Sequence, residues 1–102
     1  MRRKVNELNG RALHWAVEKC EGVLCDYAYS GRLNDYSCWG HGGPIIEREG
    51  IWLKKWEGRW EAMSGWFPRN VVCEDASPLV AALRCYVTSK LGEEIDIPED
   101  LA

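Results

Sequence analysis

The chain is poor in the features that announce most functions. Among its 102 residues are one Phe, two Met, two His and four Pro. No apolar run approaches the roughly 18 residues of a membrane span, and no basic stretch followed by an apolar segment reads as a signal peptide. The expectation is a protein that stays in the cytoplasm and makes no use of a membrane. Positive charge is also short: 13 Lys and Arg against 16 Asp and Glu give a net charge of -3. Nucleic-acid binders usually carry a basic patch or stripe, so the balance disfavours nucleic acid, and the local exception "MRRK" reads as a solvated basic N-terminal tail over residues 1–5. With no repeat, no low-complexity tract and no Pro-, Gly- or Ser-rich linker, residues 1–102 read as one domain.

There is no CxxC pair either. The five cysteines, Cys20, Cys25, Cys38, Cys73 and Cys85, are an odd set, and in a cytoplasmic chain they read as plain thiols rather than a disulfide framework. One competing pattern is C-x4-C-x12-C-x2-H, formed by Cys20, Cys25, Cys38 and His41, since thiolate and imidazole are the ligands zinc prefers. Its first pair spans a helix end and a strand at the loose limit of known spacings, so no metal and no cofactor are expected.

Tryptophan is what the chain has in quantity. Five of six lie between residues 39 and 66, among Lys, Arg and Glu. A small domain needs such rings for its core, each burying roughly 150–250 Å², but rings beside charged donors also suit binding.

Local patterns place them. A first helix is expected over residues 9–21, capped by Asn9 and closed by Gly22, with Leu13, Ala16, Val17 and Cys20 on one stripe. A last helix starts at the Ser77 cap with Pro78 in its first turn, buries Leu79, Leu83, Tyr86, Val87 and Leu91, points Arg84 and Lys90 elsewhere, and ends at Gly92. Beyond it, "EEIDIPEDL" reads as an extended acidic tail over 93–102 that packs on the domain. Between the helices, "VLCDYAY" at 23–29 and "PIIERE" at 44–49 read as strands, and "GHGG" as a tight turn. For residues 51–63 the spacing of Trp52, Trp56 and Trp60 permits a helix, but Gly50 and Gly58 weigh against it. A hairpin turning at Glu57-Gly58 sets Trp56 against Arg59 as a cation over a ring, Lys54 against Glu61, and Trp52 against Met63. Ile51, Leu53, Trp60 and Ala62 then form the buried face, with Trp52 and Trp56 outside. The fold expected is a small α+β domain: helix, a three- to four-stranded mainly antiparallel sheet, helix, an α-β-β-β-α sandwich.

With these elements placed, "NELNGRALHWAVEKCEG", "GGPIIEREGI" and "SPLVAALRCYVTSKLGEEIDIPEDL" together resemble the NinX-like family of lambdoid phage proteins, encoded in the nin region. More loosely the chain is similar to small phage domains described as an α-β-α sandwich. In the family the segment before the Gly-Gly-Pro usually reads like Tyr-Ser-Thr-Asp-Trp-Ala-Gln; here it is "YSCWGHGGP", with Gly40-His41 in place of Ala-Gln. The resemblance implies a phage source and the bacterial host cytoplasm, and it brings no catalytic residues.

No residue set makes an enzyme. His41 near Cys38 could lower a thiol pKa, but no third orienting group can be assigned. The candidate binding set is Tyr36, Trp39, His41, Glu47, Glu49, Trp52, Trp56 and Arg59. Glu47 and Glu49 would form an acidic pair on one strand face, and the rings would stack on a planar ligand or anchor a protein. The expectation is a non-enzymatic accessory protein that binds through the loop and hairpin. Its ligand would be a small nucleotide-like signal, sequestered in counter-defence, or alternatively a host or phage protein or a second copy of the chain.

Overall fold

The structure, a computed structural model, describes residues 1–22, 38–65 and 71–101. The strand expected at 23–29 lies outside them, as do Cys25, Arg32, Tyr36, Trp66 and Arg69. The elements are β1 (Arg2–Lys4), a 3-10 turn (Val5–Glu7), α1 (Gly10–Glu21), α2 (Trp39–Glu49), β2 (Trp52–Trp56), β3 (Arg59–Ser64), β4 (Val71–Asp75), α3 (Pro78–Leu91), β5 (Glu94–Asp96) and a closing 3-10 turn (Glu99–Leu101). The class is α+β, as expected, with two antiparallel sheets, β1-β5 and β2-β3-β4.

Both terminal helices begin and end where their caps direct. Gly22 takes the left-handed conformation at φ 73° and closes α1, a geometry a side chain would strain. Asn9 occupies the N-cap position in extended conformation, yet its side chain makes no capping bond. In α3 the Ser77 hydroxyl does accept from the Val80 N–H at 3.3 Å. That helix is more deeply placed than a single apolar face implies: every residue from Ala81 to Val87 is buried. A helix buried all round needs covering elements on more than one side. The sheet β2-β3-β4 packs on one side of α3, and α1 and α2 pack against it from elsewhere.

The segment 44–49 is a helix, not a strand. Gly40, Gly42, Gly43 and Pro44 all disfavour α2 locally, and Pro44 leaves the Gly40 carbonyl without its usual N–H. Tertiary packing overrides this. Ile45 is buried, Ile46 packs against the same core, and the end is closed by left-handed Gly50, at φ 63°. The Gly50 N–H donates to Glu47 O and the Ile51 N–H reaches back to Ile46 O at 3.1 Å, the paired bonds of a Schellman stop. "GHGG" is accordingly helix rather than tight turn.

The hairpin has the register the sequence predicts: Trp52 opposite Met63, Lys54 opposite Glu61, Trp56 opposite Arg59. Glu57 and Gly58 turn it with φ 49° and 78°, positive at both central residues as a type I′ turn requires. β4 adds a third strand that the alternation pattern did not suggest. The inner face carries Ile51, Leu53, Ala62 and Cys73 into the core, with Trp60 packed against it but only half-buried.

The basic N-terminus is not a mobile tail. Arg2, Arg3 and Lys4 pair with Asp96, Ile95 and Glu94, and the terminal ammonium donates to Ile97 O at 2.8 Å. Arg2 also lies 3.8 Å from Glu94 and 3.7 Å from Asp96. The acidic C-terminal segment does pack on the domain, because Ile95 and Ile97 are buried. No described helix is long and apolar enough to cross a membrane.

Candidate functional site

Strand alternation puts Trp52, Lys54 and Trp56 on the outer face of β2, away from α3. The register carries this face across the sheet in rows. One row is apolar, Trp52–Met63–Val72; the next is charged, Lys54–Glu61–Glu74; the last pairs Trp56 with Arg59. Trp52 is 72% exposed, Trp56 54% and Val72 45%, while Met63 is half-buried between Trp52 and Val72. The cation over the Trp56 ring is Lys54, with its Nζ 5.1 Å from the centroid, rather than the Arg59 expected from the cross-strand pair. Arg59 instead reaches toward Glu74, at 3.9 Å.

The rest of the expected set does not join this face. Trp39 and His41 are exposed in the first turn of α2, a helix of 11 residues and hence about 16 Å long, which packs on α3 rather than on the outer face of the sheet. Glu47 and Glu49 form no acidic pair, because residues two apart on a helix point in different directions. Glu47 is exposed, and Glu49 is held by Arg48 Nε at 2.9 Å and Lys90 Nζ at 3.0 Å. Tyr36 lies outside the described residues.

A polar network without a local sequence signal joins the ends of three helices. Arg48 grips Glu21 with both terminal nitrogens and donates to the Tyr86 hydroxyl at 3.1 Å. The Tyr86 hydroxyl in turn donates a short bond to Glu21. The Arg48 hydrogen bonds hold the Glu21 carboxyl below its ordinary range. Arg48 and Lys90 do the same for Glu49. Burial, followed by the bond to Glu21, pushes the Tyr86 phenol up. Arg84, expected to point away, is buried: its Nε donates to Leu8 O at 2.7 Å and its Nη1 to Glu74 O and Asp75 Oδ1 at 3.1 and 3.0 Å. The Leu8 contact spans 76 residues of chain and those of Tyr86 and Arg48 with Glu21 span 65 and 27, so no sequence window could have shown them.

Of the described thiols, Cys73 and Cys85 lie in the core and Cys20 packs against it, while Cys38 is exposed. Burial pushes Cys20 up to about 11 and Cys85 to about 12, the reverse of what a nucleophile or a metal-binding thiolate needs. Of the zinc pattern, Cys20 ends α1, Cys38 and His41 open α2, and Cys25 lies outside the described residues. Among the described residues no three His, Cys, Asp or Glu side chains group as a metal site.

A family model described as "Bacteriophage P22, NinX" matches residues 27–90, well over half of the chain and all of α2 through β4. The chain belongs to that phage family. No curated protein matches it.

Proposed function

We propose that this phage protein is a non-catalytic interaction module that docks a protein on the outer face of the sheet β2-β3-β4. The observation that carries the reading is the row Trp52–Met63–Val72 with Trp56 beside it, an apolar strip whose largest ring is 72% exposed. Exposed apolar patches rimmed by charge mark interaction sites, and Trp and Arg dominate interface energetics. The fold does not need these rings, since the inner face already seals α3 with Leu53, Ala62 and Cys73. Burial of Cys20, Cys73 and Cys85, which raises their thiols, supports a non-catalytic role for these three, because a thiol nucleophile needs a lowered pKa or an adjacent base. The test is photo-crosslinking in infected cells, with benzoylphenylalanine in place of Trp56 and, as control, of exposed Arg11. Discrete protein adducts from position 56 alone support docking; none there, or equal labelling at both positions, removes it.

A second reading rests on the Lys54 ammonium 5.1 Å from the Trp56 ring centre. An aromatic platform with adjacent cations suits the base and phosphate of a nucleotide-like signal, which the protein would sequester from host defence. Saturable calorimetric heat with a nucleotide panel, abolished by Trp56→Ala, would favour it; no heat across the panel would remove it.

A further inference from the structure

Resting on the docking reading, we infer that the occupant of the outer sheet face is a second copy of this chain, packed sheet against sheet about a two-fold axis parallel to the strands. The charge pattern carries the inference. Sheets that pack face to face keep their strands within about 30° of one another, roughly 10 Å apart. β3 is the central strand, flanked by β2 and β4. A two-fold along β3 therefore sets β2 of one copy over β4 of the other while keeping each row in place. Lys54 then faces Glu74 of the second copy, twice over, because these residues occupy opposite ends of one row. In the neighbouring row Trp52 covers Val72 of the second copy, again twice, and the two Met63 side chains meet on the axis. Glu61 and Arg59 also lie on β3, two residues apart on one face; on the axis each meets its own copy, a like-charge opposition that the diagonal Glu61–Arg59 contacts between copies offset, a span long side chains cover.

A two-fold perpendicular to the strands and centred on the charged row would instead oppose Lys54 to Lys54 and Glu74 to Glu74. The face balances Lys54 and Arg59 against Glu61 and Glu74, so it adds no repulsion of its own to the chain's net charge of -3. The area is that of a small interface: the exposed parts of two tryptophans, each burying roughly 150–250 Å² when whole, with Val72 and the stems of Lys54, Arg59 and Glu74, fall somewhat below the ~800 Å² that a standard interface takes from each partner.

The test is sedimentation of the full chain from ~1 µM to ~1 mM in about 50 mM salt, where charge pairs are least screened. The wild type is expected to dimerise. Lys54→Glu alone sets carboxylate against carboxylate at both pairs, and Glu74→Lys alone sets ammonium against ammonium, so each should weaken the dimer on the order of 100-fold. An equimolar mixture of the two variants has both pairs complementary and should recover a dimer of wild-type tightness, a result that misfolding cannot mimic. A wild type that stays monomeric, a dimer indifferent to either reversal, or a mixture that fails to associate overturns the inference. If the wild type is monomeric while position 56 still crosslinks another protein, the second copy falls and docking stands. If it is monomeric and no adduct forms, both fall.

Discussion

Arg48 and Glu21 meet as a two-pronged pair, with guanidinium nitrogens 3.1 and 2.7 Å from the two carboxylate oxygens, and so tie the end of α2 to the end of α1. The planar fork is what makes this possible: one Arg serves Glu21, Glu49 and Tyr86 at once. Replacing Arg48 by Met should destabilise the protein by about 1–2 kcal/mol, less than a fully buried pair would lose, because the guanidinium keeps half of its surface in water. Arg48→Lys should rescue little of this, lacking the fork. Thermal melts of the two variants check both statements, at about 4–8 °C per kcal/mol for a domain of this size.

The same network sets a window of pH stability. The Glu21 and Glu49 carboxyls are lowered in the folded state, chiefly by Arg48. Their contribution is therefore full above the unfolded carboxyl pKa of about 4.3 and is lost as pH falls through the folded values. The Tyr86 phenol is raised, so its contribution is full below about 10 and is lost as pH rises further. Melting temperature should hold from about pH 5 to 9 and fall on both sides. In Arg48→Met the acid limb should be shallower, and an unchanged acid limb would mean that other carboxylates dominate.

Arg84 should be the costliest polar residue to remove. Its three bonds fasten α3 to Leu8 and to the end of β4. Arg84→Met would strand the buried Leu8 carbonyl, while Asp75 keeps partial contact with water and the Ser77 N–H, at about 2–3 kcal/mol. Urea unfolding should show the midpoint falling with an unchanged slope.

Trp60 and Trp56 should respond unequally to truncation. Trp60 faces the core but is half-buried, so Trp60→Ala should lose about 2–3 kcal/mol, below the 3–5 kcal/mol of a fully buried ring. Trp56→Ala, at 54% exposure, should stay within about 0.5–1 kcal/mol. Equal losses in thermal melts would mean the two faces of the hairpin are not distinct.

What was legible in the chain was local. Ser77-Pro78 and the Gly22 and Gly92 stops bound the terminal helices, since a cap involves only residues within one turn of each other. Glu57-Gly58 and the two-residue alternation around it were enough for the hairpin register, and therefore for the separation of Trp52 and Trp56 from the inner face. What only the tertiary structure decided was non-local. α2 is helical despite three glycines and a proline because Ile45 finds the core and Arg48 finds Glu21, contacts that propensity cannot see. The N-terminal strand exists because β5 is there to pair with it. Arg84 turns inward because Leu8, far away in sequence, offers a carbonyl that would otherwise be buried without a donor. Sequence alone determined which residues the hairpin exposes; the assembled core decided that Trp39, His41, Glu47 and Glu49 would not share their face, because helical periodicity and packing on α3 carry them to another side of the molecule.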